Sequence, residues 1–367
     1  MKLPLRDNIA SLVPYPPGKP IEELEREYGI SGSIKLASNE NALGPSPRAV
    51  AAVAACLKNL HRYPDGSCYY LAAALAEKMG VLPEQLVFGN GSNEIIQLLI
   101  SAFLAPGEEV ISSHPTFLVY QKVVQAQDGI NRVVPLQNMQ HDLDGILAQI
   151  TGKTRLIFLD NPNNPTGSVF TRDEFAAFLN RLPEKIIVAL DEAYVDFVDP
   201  ALRLDAREYL KHRVPVVALR TFSKAYGLAG LRVGFGIMHA DIAQHLHRVR
   251  QPFNVSLPAQ VGALAALDDD EHYENTMNCT RQGIAWLSRE VARLGCTPFP
   301  TQTNFFLIDV KGDGKKLYEA LLRTGVIVRP MGAYGYPGYI RITVGTPAEN
   351  QRFIKALAAT RQELRYV

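Results

Sequence analysis

From about residue 45 to 240 the chain alternates between two hydrophobic periods. Stretches with apolar residues three and four apart read as amphipathic helices, and the short continuous apolar runs between them read as strands. PSPRAVAAVAACLKNL offers Ser46 as an N-cap and Pro47 at the first helical position, ahead of an alanine-rich helix. SNEIIQLLISAFLAPGEEV predicts a second helix, N-capped by Ser92 and ended by Pro106–Gly107, and TRDEFAAFLNRL places Thr171 and Glu174 at the spacing of a capping box. Between the helices lie QLVFGNG, EVISSHP, RLIFLDNPNNPTG, KIIVALDEAY, VPVVALRTFSK and LRVGFGI. Their cores are short and β-branched, with no clean alternation, the pattern of strands buried on both faces. The expected fold class is α/β: a large domain with a mostly parallel sheet covered by helices.

Beyond about residue 245 the pattern changes. A long helix is predicted through HADIAQHLHRVRQ, stopping near Pro252, followed by further helices and the strand-like NFFLIDV, VIVRP and YIRITVGT. These predict a smaller α/β C-terminal domain. The expected division is an N-terminal arm over 1–35 that joins the small domain and a lid, a large domain over 36–245, and a small domain over 246–367.

Composition narrows the function classes. The 367 residues carry 38 Lys+Arg against 37 Asp+Glu, so a net charge of +1 gives no pull toward nucleic acid or an anionic membrane. No run of about 18 apolar residues occurs, and the opening MKLPLRDNIASLVPYPPGKP lacks the apolar core of a signal peptide. Cys56, Cys68, Cys279 and Cys296 are scattered without metal-ligand spacing, as expected of reduced thiols in a cytoplasmic protein. The acidic run at 268–271 reads as a turn or helix start, since consecutive side chains do not converge on one ion; no metal site is expected.

The polar residues cluster just after the apolar runs: Gly89–Ser92, His114–Phe117, Asn161–Gly167, Asp191–Tyr194 and Thr221–Lys224. In open α/β sheets ligands bind outside the carboxyl ends of the strands, so five such exits imply one shared site. Lys224, in TFSKAYGLAGLRVG, is an amine that desolvation would make nucleophilic toward an aldehyde. Asp191 follows IIVAL and puts a carboxylate deep in the site; Tyr194 adds a phenol, and Asn164 an amide aimed by the NPNNPTG turn. Gly91 and Ser92 open a helix and form an anion cradle, with Thr221, Ser223 and Arg232 as further phosphate ligands. An amine, an acid, a phenol, an amide and a phosphate pocket match pyridoxal 5′-phosphate (PLP).

HRYPDG, FGNGSNE, DNPNNPTG, LDEAY, TFSKAYGLAGLRVG and YIRITVGT, in this order and with SLVPYPPGKP and IKLASNENALGPSP before them, resemble the fold type I PLP enzymes. They fall in the aminotransferase branch and are most similar to the histidinol-phosphate aminotransferase family. The resemblance implies that Lys224 holds PLP and moves the proton between substrate and cofactor. It implies that Asp191 pairs with the pyridine nitrogen, and that Tyr194 and Asn164 bond the ring's 3′-oxygen. Gly91, Ser92, Thr221, Ser223 and Arg232 would hold the phosphate, and Phe117, where many relatives have tyrosine, would stack on the ring. Tyr63 would reach the phosphate of a neighbouring subunit, implying a homodimer with shared active sites.

The resemblance further implies transamination of L-histidinol phosphate with 2-oxoglutarate, in histidine biosynthesis. Arg341 and Arg329 would bind the substrate phosphate through bidentate bonds, and Tyr15 would close over it. Two rivals share the scaffold: an aromatic amino-acid aminotransferase and a threonine-phosphate decarboxylase. A PLP-binding regulator would need a DNA-binding domain, for which this near-neutral chain leaves no segment.

Overall fold

The apolar runs assemble into one seven-stranded sheet. Its strands are β1 Leu86–Gly89, β2 Glu109–His114, β3 Ile130–Pro135, β4 Thr154–Asp160, β5 Ile187–Asp191, β6 Val216–Thr221 and β7 Gly234–Ile237. The computed structural model describes residues 4–14 and 18–366. Strand order is β1-β7-β6-β5-β4-β2-β3, with β7 antiparallel to both its neighbours and every other pair parallel. β3 has no counterpart among the predicted strands. It is one of the two edge strands, largely uncovered, and its residues INRVVP lack the continuous apolar run that burial on both faces produces in the others.

The helices that position the site are α1 Pro47–Cys56, α2 Tyr69–Met79, α3 Ser92–Phe103, α4 Val119–Ala126, α5 Arg172–Asn180, α6 Ala240–Val249 and α7 Leu257–Leu267. Successive strand residues face opposite sides. Phe88, Ile157, Val188, Leu190 and Ala218 pack beneath α1, α2, α5 and α7. Val87, Phe158, Ala189, Val217 and Leu219 pack against α3, α4 and α6. The result is a three-layer α/β/α domain. Ser46 accepts the Ala49 N–H at the start of α1, and Thr171 and Glu174 form the capping box of α5, as predicted. At α3 the N-cap is Gly91, not Ser92, which is already the first helical residue.

The small domain contains α8 Asp270–Arg293, α9 Gly314–Arg323 and α10 Pro347–Leu364. They pack on an antiparallel sheet in the order Arg329–Pro330, Tyr339–Thr343, Phe305–Asp309, Thr297–Pro298. By core membership α7 belongs to the large domain: Ala259, Ala263 and Ala266 sit in the same cluster as Ala49 of α1. We therefore place the change of domain between Leu267 and Asp270 rather than at residue 245, because the apolar face of α7 is covered by α1. The N-terminal arm touches both domains. Asn8 donates to the Gln125 carbonyl at 2.8 Å, while Leu24 packs with Leu322 and Ile327. Ile34–Lys35 pairs in parallel with Val326–Ile327. No helix among the described residues is long and apolar enough to cross a membrane.

Candidate active site

All five polar strand exits open on one cavity of about 210 Å³, whose walls include Ser92, Phe117, Asn164, Asp191, Thr221 and Lys224. The parallel strands β1, β2, β4, β5 and β6 all deliver their carboxyl ends to this edge, so residues more than a hundred positions apart converge. Ser223, Gly91, Tyr194 and Arg232 also line it.

Lys224 Nζ lies 3.3 Å from the Ser38 carbonyl and 5.7 Å from the centre of the Tyr194 ring. Burial, assisted by the positive charge of Arg341, lowers its pKa to about 8, with Glu40 acting in the opposite direction. The amine is thus roughly one-tenth neutral at pH 7, against about one in two thousand for an unperturbed lysine. Across the cavity, burial raises the pKa of Asp191 to about 7; a hydrogen bond from Tyr120 opposes the shift and the neighbouring Asp160 adds to it. The Tyr120 hydroxyl donates to Asp191 Oδ2 at 2.7 Å and the Ala193 N–H to Oδ1 at 3.1 Å.

Tyr194 Oη accepts from Asn39 Nδ2 at 2.9 Å and from Asn164 Nδ2 at 3.5 Å. Arg341 reaches in from the small domain, donating to Asn164 Oδ1 and, at 2.9 Å, to the Ala37 carbonyl, with its guanidinium over the Phe305 ring. Arg329 is the register partner of Arg341 on the adjoining strand, so the two arginines share one face of that sheet.

The opposite end of the cavity is built to receive an anion. Helix α3 begins at Gly91 with no side-chain cap, leaving first-turn N–H groups directed toward the cavity. Gly91 has φ +76°, and a Cβ there would lie 2.5 Å from Arg232 Nη2. Gly234 lets β7 approach so closely that a Cβ would lie 2.4 Å from the Ser92 nitrogen. Arg232 donates to Ser223 Oγ at 3.5 Å, and the Thr221 hydroxyl donates to the same oxygen at 3.0 Å. Backbone N–H groups, two hydroxyls and a guanidinium thus converge on this end of the cavity, and the two glycines permit the close packing that brings them together.

Of the predicted site residues that the structure describes, Tyr63, Arg329 and Arg341 are not part of the cavity wall, Arg341 reaching it through Asn164. Tyr63 is 83% exposed and stacks on Phe253 with centroids 4.9 Å apart, outside the cavity of its own chain. Tyr15 lies outside the described residues. Sequence reasoning also missed several groups. Tyr120 is fully buried and stacked on Phe158, and in FLVYQKVV it reads as one more apolar helix position. Its signal is the need of a buried phenol for a partner. Asn39 and Glu40 sit in SNEN, where nothing in the spacing marks them, yet Asn39 ties Tyr194 to Thr343 of the small domain. Asp160 and His141 form a buried pair behind Asn164. Among the described residues no cluster of His, Cys, Asp and Glu could hold a metal ion, and Asp269 of the acidic run instead caps α8.

Residues 31–357 match the family model described as aminotransferase class I and II. The histidinol-phosphate aminotransferase of Desulfotalea psychrophila is 57% identical over 370 residues, covering 100% of this chain and 98% of the relative. That of Moorella thermoacetica is 45% identical over 96% of this chain and 92% of its own. Among solved structures, a histidinol-phosphate aminotransferase from Sinorhizobium meliloti in complex with pyridoxal-5′-phosphate superposes with a TM-score of 0.91 at 28% identity, covering 99% of each chain.

Proposed function

The chain belongs to the class I and II aminotransferases and, within them, to the histidinol-phosphate aminotransferase family, and from that premise we propose that it transfers the amino group of L-histidinol phosphate to 2-oxoglutarate with PLP as cofactor, giving imidazole acetol phosphate and L-glutamate. The single observation that carries this reading is the meeting, in one cavity, of a part-neutral Lys224 amine, the Asp191 carboxyl and the uncapped end of α3.

The residues present fit the cofactor. The end of the cavity walled by Gly91, Ser92, Thr221, Ser223 and Arg232, where glycine lets the guanidinium approach the helix start, suits its phosphate. Asp191 suits the pyridine nitrogen, Tyr194 and Asn164 the ring oxygen, and Phe117 a ring face. PLP, when bound, supplies the electron sink that lets the substrate Cα–H bond break. Asp191, with a pKa of about 7, is protonated in an appreciable fraction of molecules near neutral pH and would hold a proton for the ring nitrogen. Tyr194 Oη and Asn164 Nδ2, which hydrogen-bond each other, would hold the ring oxygen. Lys224 Nζ, neutral in an appreciable fraction of molecules, accepts and returns a proton within the cavity. Arg341, helped by Arg329, binds the dianionic phosphate of the donor and then the carboxylate of 2-oxoglutarate.

We also read the active unit as a homodimer in the cytoplasm. Tyr63, Tyr69 and Tyr70 are 83%, 65% and 75% exposed, with Phe253, Leu57 and Leu60 also exposed, an apolar surface that a second copy would cover. The four cysteines are unpaired, consistent with a reducing compartment.

The test is a donor comparison. The wild-type enzyme is loaded with PLP and supplied with 2-oxoglutarate, and glutamate is measured with histidinol phosphate, histidinol, phenylalanine, tyrosine or threonine phosphate as donor. Histidinol phosphate should give the highest kcat/KM, and Lys224→Ala should abolish turnover. Phenylalanine or tyrosine outrunning it would favour the aromatic aminotransferase, and CO₂ from threonine phosphate would favour the decarboxylase.

A further inference from the structure

Strands β4 and β5 run parallel with Asp160 in register with Asp191, so two carboxylates leave adjacent strands on the same face of the sheet. Only Asp191 was expected at the site, yet Asp160 lines the same cavity and is 3% exposed. Among the described residues no arginine or lysine pairs with it. Every contact it makes is with a donor or an imidazole. Oδ1 accepts from the Thr116 hydroxyl at 2.6 Å, from Asn163 Nδ2 at 3.0 Å and from His141 Nε2 at 3.0 Å, and Oδ2 accepts the Asn164 backbone N–H at 2.9 Å. His141 is fixed in turn: its Nδ1 lies 2.6 Å from Ser113 Oγ, which fits a neutral ring that accepts from the serine and donates Nε2–H to the carboxylate. Four donors are what an ionised carboxylate accepts; a protonated acid would set its own O–H against one of them.

We propose that Asp160 is a positioning residue of the cofactor site, a fixed negative charge, held by Thr116, His141, Asn163 and Asn164, that keeps a proton on Asp191 for delivery to the cofactor's ring nitrogen. The shared bond to the Asn164 N–H gives the same carboxylate hold of the turn that carries the Asn164 amide. A negative charge beside a buried acid favours its protonated form, in line with Asp160 contributing to the rise at Asp191 and at Tyr120. The other groups that face Asp191 are Tyr120 from α4, Glu192 next along its own strand and Lys224 beyond β6. Of these, Tyr120 also feels Asp160, but its phenol is raised well above its ordinary value and stays protonated across the pH range of the test.

The inference rests on the PLP reading, and the test separates the two. PLP binding by the cofactor-free protein is measured by fluorescence quenching between pH 5.5 and 8.5 for wild type, Asp160→Asn and His141→Gln. Two cavity groups of the free protein titrate in this range, Asp191 at about 7 and Lys224 at about 8; the lower break in log Kd against pH reports Asp191, while the titrations of Lys224 and of PLP itself are common to all three proteins and cancel in the comparison. In Asp160→Asn the break should fall by about 0.5 to 1 pH unit, the direction required when a like charge is removed. In His141→Gln, which keeps the charge, the break should stay at the wild-type pH. Should Asp160→Asn fail to fold, Asp160→Ser, smaller and neutral, carries the same expectation. An unmoved break in a folded neutral variant overturns the inference and leaves the cofactor reading intact. Failure of wild type to bind PLP at all overturns the cofactor reading itself.

Discussion

Gly91→Ala isolates the anion cradle. Gly91 has φ +76° and ψ 170°, a region that is essentially glycine-only, so any side chain there costs on the order of 1–3 kcal/mol of folding stability. The added Cβ would also lie 2.5 Å from Arg232 Nη2 and 3.4 Å from Cζ. The guanidinium must move, because the other side of the contact is backbone. Losing one charge-assisted hydrogen bond to a phosphate costs about 1.5–3 kcal/mol, which is roughly tenfold to a hundredfold in affinity. Gly80→Ala is the control. Gly80 has φ +64° but nothing within 4 Å of its would-be Cβ, so it carries backbone strain without a collision. Both variants should melt below wild type, read as Tm of the cofactor-free protein. Only Gly91→Ala should raise the Kd for PLP, by about tenfold or more. Wild-type PLP affinity in Gly91→Ala, or an equal loss in Gly80→Ala, would refute the assignment of the phosphate to this end of the cavity.

Three further outcomes are expected. Asp191 has a folded pKa of about 7, above the ordinary aspartate value of about 3.9, so the folded protein binds more protons than the unfolded chain between those values and loses stability as pH rises through them. Cofactor-free Asp191→Asn should therefore gain most on wild type above pH 7, with the gap closing toward pH 4 in urea titrations. Arg341→Ala should narrow the ratio of kcat/KM between histidinol phosphate and histidinol by roughly tenfold to a hundredfold and weaken 2-oxoglutarate, since it removes a group that reads the phosphate; an unchanged ratio would move phosphate recognition elsewhere. Mixing inactive Lys224→Ala with Tyr63→Phe should restore activity above either parent if Tyr63 serves the neighbouring subunit, and no recovery in proven mixed dimers would confine it to its own.

Much of this site was legible because parallel strands impose it. A chain of apolar runs, each ending in a reactive group, can meet at only one edge of the sheet, which is why Lys224, Asp191, Asn164 and Ser92 were identifiable before any coordinates. What was hidden has the opposite character. Tyr120 sits on the apolar face of α4, and only its hydroxyl, bonded to Asp191, separates it from a core aromatic. His141 reaches Asp160 from the segment after β3, an edge strand whose mixed polarity gave no periodic signal. Asn39 acts between domains, and sequence spacing carries no information on how Thr343 and Tyr194 are brought to it. We draw the domain boundary after α7 rather than at 245 because α7 packs on α1, a tertiary contact that the change of pattern at α6 does not carry.

The most direct test of the central claim is a single turnover without acceptor. The purified, PLP-loaded enzyme is mixed with one equivalent of histidinol phosphate per site, and the visible absorbance of the bound cofactor, imidazole acetol phosphate and CO₂ are followed together. Conversion of the cofactor to its pyridoxamine form with an equal amount of imidazole acetol phosphate, no CO₂, and restoration of the original spectrum by 2-oxoglutarate is the expected result. An unchanged spectrum, or conversion that 2-oxoglutarate does not reverse, would contradict the account.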